Sequence, residues 1–132
     1  MSDTVTGKAI ARGVAQTPRK ISLVASLVRG RTVADALVIL EHTPKRAAKP
    51  VYKVIASAAA NATNTFGAKE DTLVITNMQV TAGPRLKRFR PIARGSANPF
   101  VKRTSHIQVT VSGEMKPKKK PAVKKADEKE SK

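Results

Sequence analysis

Residues 83–106 read GPRLKRFRPIARGSANPFVKRTSH. The stretch carries Arg85, Lys87, Arg88, Arg90, Arg94, Lys102 and Arg103 and no acid. It lacks the alternation that would seat one face on a core. On either side, however, a period of two is plain. Leu73, Ile75 and Asn77 oppose Val74, Thr76 and Met78, with Val80 continuing the pattern, and later Ile107, Val109 and Val111 alternate with Gln108, Thr110 and Ser112. Such alternation marks half-buried strands. Two antiparallel strands joined through 83–106 make a hairpin whose distal part has nothing of its own to bury. With about a dozen residues per arm, strand rise projects it roughly 35–40 Å. A domain of this size has a radius of gyration of only about 13 Å. Pro91, Gly95 and Pro99 interrupt ladder pairing, so the tip is expected as a loop.

Upstream of the hairpin the apolar period is helical. Thr17-Pro18 supplies an N-cap and a first-turn proline, Ile21, Val24, Ala25 and Val28 form a stripe, and Gly30 a stop. Thr32 caps a second helix, with Asp35 in its first turn and Val33, Ala36, Leu37 and Leu40 buried, ending near His42. Thr43-Pro44 repeats the first signal and opens a third helix running to about Thr65, with Gly67 beyond it. Its stripe is Ala47, Val51, Val54, Ile55, Ala58, Ala62 and Phe66, and the run Ala58 to Ala62 lets a neighbouring backbone approach closely. Pro50 removes one helical hydrogen bond and predicts a bend. Val5 to Ala15, with Gly13 inside, reads as an edge strand. The sum is an α+β domain: three helices packed on a small antiparallel sheet of about three strands, with a long projecting β-hairpin.

The chain has 132 residues, and its 26 Lys and Arg against 9 Asp and Glu give a formal charge of +17. This points to one domain, residues 1–113, which includes the hairpin, followed by a lysine- and proline-rich segment, 114–132, that cannot bury a core and is expected to be disordered. That segment holds eight Lys against four acids, so most of the surplus sits in the domain. A surplus of this size draws in a polyanion, and nucleic acid rewards clustered cations through counterion release. No apolar run is long enough to span a bilayer and no signal-peptide pattern opens the chain, so no membrane partner is expected. With no cysteine there is no disulfide, thiolate metal site or cysteine nucleophile. The aromatics are Tyr52, Phe66, Phe89 and Phe100 alone, which argues against base stacking as the main binding mode.

Catalysis finds no constellation. His42 and His106 stand far apart in sequence, Ser105 has no base or orienter, and no metal or cofactor set assembles. A helix-turn-helix built on the first two helices would offer Val33 to Leu40 as its recognition helix, without a base-reading Arg, Asn or Gln. The expected contacts to RNA are Arg85, Lys87, Arg88, Arg90, Arg94, Lys102 and Arg103 on the hairpin, with His106 at its base. Arg12, Arg19 and Lys20 extend the footprint at the N-terminal side. Lys45, Arg46, Lys49 and Lys53, spaced by about a helical turn, line an exposed side of the third helix.

These motifs also carry a resemblance. Gly83-Pro84-x-Leu86-Lys87-Arg88, Pro91-x-Ala93-Arg94-Gly95-x-Ala97 and Lys102-Arg103-Thr104-Ser105-His106-Ile107 resemble the large-subunit ribosomal protein 22 family. Pro18-Arg19-Lys20, Arg29-Gly30 and Ser57-Ala58-x-Ala60-Asn61-Ala62 fall in the family's order, so the likeness covers about residues 5–112. It implies a structural, non-enzymatic constituent of the large ribosomal subunit in the cytoplasm. Its partners would be ribosomal RNA and neighbouring ribosomal proteins, with no homo-oligomer expected. The hairpin would run inward and line the polypeptide exit tunnel with its tip, Arg90, Pro91, Ile92, Ala93, Arg94, Gly95 and Ser96, within reach of nascent polypeptide. Lys87, Arg88, Lys102 and Arg103 would grip RNA along the shaft, and the protein would aid subunit assembly. Where the family commonly carries cations, this chain has Ile92 and Ser96, so its tip is the less positive part of the arm.

Overall fold

The computed structural model describes residues 4–115. The elements run β1 (Thr4–Val14), α1 (Pro18–Val28), α2 (Val33–His42), α3 (Ala48–Phe66), a 3-10 turn (Glu70–Thr72), β2 (Val74–Pro91), a tip turn (Ala93–Gly95) and β3 (Ala97–Glu114). The sheet is antiparallel in the order β1-β3-β2. Its central strand β3 brings Ile107, Val109 and Val111, all fully buried, against the helices. The core is entirely aliphatic, built from these residues with Ile21, Val24, Val28, Val51, Ile55 and Ile75.

The helices follow their sequence signals, with corrections at α1 and α3. Thr32 caps α2, its hydroxyl oxygen accepting from the Asp35 N–H (3.3 Å), as expected. At α1, Thr17 occupies the N-cap position but its side chain makes no capping bond. The third helix does not begin at Thr43-Pro44. It starts at Ala48, which puts Pro50 in the first turn. There the missing N–H has no intrahelical acceptor in any case, so the expected bend has no cause. Gly67, at φ 65°, ends the helix in the left-handed region. Of the predicted stripe only Phe66 faces out. The small residues of α3 admit β1 closely. A Cβ on Gly7 would stand 2.6 Å from the Ala62 Cβ and 2.7 Å from the Ala58 carbonyl oxygen.

β2 carries an extra residue near Thr76: Ile75 pairs with Val111 but Asn77 with Thr110. The bulge inverts the phase of the strand, so Met78, expected opposite Ile75, shares its buried side and Asn77 faces out. The outer edge of β2 is paired by the α1–α2 turn, where the Gly30 N–H donates to the Ile75 carbonyl (3.1 Å) and the Ile75 N–H to the Arg31 carbonyl (3.0 Å). At the far end β3 extends through Glu114 and Met115 bridges to Ala68, so pairing continues two residues past the expected domain boundary at 113. Residues 116–132 of the expected tail lie outside the described residues.

Candidate RNA interface

Beyond Thr104 the hairpin leaves the body as a two-stranded ribbon. Pairing runs unbroken from Arg85↔Arg103 to Pro91↔Ala97, so the expected loop shrinks to the five residues 92–96. Pro99 sits within the ladder opposite Phe89. A free ribbon tolerates this because alternate N–H groups point outward. The exposed length begins at Pro84, which at strand rise gives roughly 25–30 Å before the tip, less than the sequence suggested.

Two adjacent bulges mark the place where the ribbon departs. Gly83 and Pro84 together oppose Thr104, and Arg12 and Gly13 oppose His106. Three consecutive side chains tie this root together. The buried Thr104 hydroxyl donates to the Pro84 carbonyl (2.7 Å), and the fully buried Ser105 hydroxyl to the Gln16 carbonyl (3.0 Å). His106 Nδ1 accepts from the Gly13 N–H (3.0 Å). Bulges bend a strand and re-aim its continuation, here the whole ribbon. The Gly-Pro pair was the sequence signal for the first of them, since both residues are poor in regular strand. His106 is thus engaged in positioning the arm.

Directly paired residues of an antiparallel ribbon share a face. One face therefore carries Arg85, Arg103 and Lys87 with Phe89, and the other Lys102, Arg88 and Arg90 with Phe100. Arg85 stands opposite Arg103, a like-charge pairing that is unfavourable without a counter-charge. No acid occurs between Asp71 and Glu114 to supply one within either strand. The Arg90 guanidinium lies 5.6 Å from the Phe100 ring centroid, within cation–π range. Phe89 is 71 % exposed. Among the described residues nothing packs against either face, and every ribbon residue from Pro84 to Arg103 is exposed.

At the tip the Ile92 N–H donates to the Ser96 carbonyl (2.8 Å) and the Ser96 hydroxyl to the Ala93 carbonyl (2.9 Å). Ser96 thus closes the turn. Arg94, at φ 61°, is the only non-glycine residue with positive φ among the described residues and forms the apex with Gly95 at φ 72°. Holding an arginine in the left-handed region costs about 1 kcal/mol.

The body adds a basic groove at the ribbon's root. Lys20, Lys45, Arg46, Lys102 and Arg103 line it, from three separate parts of the chain, and among the described residues no acid does. Thr17 and Ala47 also line it; they are the N-cap residues of α1 and α3, and neither helix has a side-chain cap or an acid in its first turn. Open helix N-termini beside cations suit phosphate. Of the N-terminal cations predicted from sequence, Lys20 joins this groove, while Arg12 stands exposed at the β1 bulge and Arg19 exposed on the first turn of α1. Lys45 and Arg46 precede α3 instead of lying on it, so the helical spacing that grouped them with Lys49 and Lys53 did not reveal their place here.

Among the described residues no helix is long and apolar enough to cross a membrane, and no cluster of three metal-ligating side chains forms. The family model for ribosomal protein L22p/L17e matches residues 9–112, a span that takes in all three helices, the root and the whole ribbon. With an acid-free arm open on both faces and a match over most of its length, the chain belongs to the ribosomal protein L22p/L17e family, RNA-binding structural constituents of the large ribosomal subunit.

Proposed function

We propose that the ribbon threads between segments of ribosomal RNA with both faces covered, while the body rests on RNA through the root groove. The observation that carries this is the division of shaft cations between the two faces, with Arg85 set directly opposite Arg103. A ribbon lying on one RNA surface would need cations on one face only. The arm reaches inward, and its tip, residues 90–96, forms part of the polypeptide exit tunnel wall, where Arg94 stands at the apex and nascent polypeptide passes. By neutralising phosphates of several RNA segments at once, the protein lowers the cost of packing them together and so aids assembly of the subunit in the cytoplasm. Its role is structural and involves no catalysis.

The test exchanges residues 86–102 for Asn-Gly, a two-residue turn suited to the paired residues Arg85 and Arg103. The core residues all lie outside the excised part, so the variant keeps its fold by circular dichroism and urea denaturation. It is expected to bind large-subunit RNA more weakly. A photo-crosslinker at position 94 of the full chain, in ribosomes carrying nascent polypeptide, is expected to capture that polypeptide. Incorporation without crosslinks at 94 would refute the tunnel placement, and unchanged RNA affinity on excision would refute the threaded arm.

A further inference from the structure

None of the four aromatic residues enters the aliphatic core. Phe89 and Phe100 belong to the ribbon and Phe66 closes α3, while Tyr52 lies near the start of α3, 38 % exposed. It lines a groove between the end of α2 and the start of α3, floored by Leu40, Pro44 and Ala48. Lys45, Arg46, Lys49 and Lys53 rim this groove, with Glu41 the one acid on its lip among the described residues. Lys45 and Arg46 also line the root groove, so the segment between α2 and α3 is a cationic ridge with a groove on either side.

An aromatic ring on an apolar floor among four cations suits an unpaired nucleotide, the base on the ring and the phosphates on the rim. An acidic peptide would also meet the cations but would leave the aromatic and apolar floor without a matching planar group. We infer that the α2–α3 groove holds one unstacked nucleobase of RNA against Tyr52. Its strand continues over Lys45 and Arg46 to the root of the hairpin. The inference rests on the RNA-binding reading and adds a stacking site on the body to the charge contacts of the arm.

Tyr52 is the only tyrosine and there is no tryptophan, so intrinsic tyrosine fluorescence of the full chain reports this groove alone. Single-stranded oligoadenylate serves as probe, because stacking tolerates any base. An abasic phosphodiester chain of equal length and charge is the control. Oligoadenylate is expected to quench the fluorescence and the abasic chain to leave it unchanged. Tyr52→Ala is expected to weaken oligoadenylate binding about tenfold and abasic binding little, with Tyr52→Phe near the parent. Glu41→Gln should tighten both probes modestly. Equal behaviour of the two probes, or an unaffected Tyr52→Ala, overturns the inference. So does quenching by an acidic peptide where oligoadenylate gives none. An alanine triple at Lys87, Arg88 and Arg103 separates the two levels. If it weakens RNA binding while Tyr52 stays silent, only the stacking site fails; if it does nothing, the RNA-binding reading of the arm fails.

Discussion

If the ribbon is covered by RNA on both faces, stripping the cations from either face must cost phosphate contacts. Two variants make the comparison: Arg85→Ala with Lys87→Ala and Arg103→Ala for one face, and Arg88→Ala with Arg90→Ala and Lys102→Ala for the other. Each phosphate contact contributes about 0.7–0.9 to the slope of log affinity against log salt. Three lost contacts therefore lower the slope by about 2–3 in each variant. Between 50 and 200 mM salt, a drop of this size narrows the gap between parent and variant by roughly 20–40-fold. The assay is filter binding or anisotropy with large-subunit RNA across a salt series. All six side chains are exposed; the first variant relieves the Arg85–Arg103 repulsion and should keep a urea midpoint at or slightly above the parent's, while the second loses the Arg90–Phe100 contact and should lie at or slightly below it. A normal slope in one variant beside a reduced slope in the other would show a ribbon lying on a single RNA surface and would refute the threaded arm.

Three more outcomes are expected from particular contacts. Gly7→Ala drives a methyl into the Ala58 carbonyl and the Ala62 side chain. A loss of about 1–3 kcal/mol or more is expected in urea unfolding, and a stability equal to the parent's would mean β1 does not lie this close to α3. Ser105→Ala leaves the Gln16 carbonyl without its fully buried donor and should cost about 1–3 kcal/mol by the same measure, as long as water does not replace the hydroxyl. Arg94→Gly relieves about 1 kcal/mol of backbone strain at the apex. Slower hydrogen exchange of the Ile92 amide, which donates to the Ser96 carbonyl, is the expected sign, and faster exchange would contradict it.

Much of this protein is legible in its residues alone. Helix stripes, strand alternation and an acid-free segment between good strands each obey local rules, and they lead to the three helices, the antiparallel sheet and the arm. The departures have local causes. Thr43-Pro44 resembles a helix start, yet the chain makes one more turn before Ala48, which places Pro50 where a proline costs nothing. The phase of β2 departs from the alternation past Ile75 because a bulge leaves no mark in a pattern of two.

Residue types alone made the arm cationic, left it without a core of its own, and pointed to a polyanion as its partner. These are sums over residue types, independent of how the chain packs. How the cations are shared between the two faces emerges on folding, because register settles which side chains lie together and one bulge at Gly83-Pro84 resets it. Nor could spacing along the chain reveal that Lys20, Lys45, Arg46, Lys102 and Arg103 surround one groove. Residues so far apart meet only when helices and sheet pack. The Thr104-Ser105-His106 triplet shows the same division: as a motif it identified the family, and as a structure it fixes the root from which the arm is aimed.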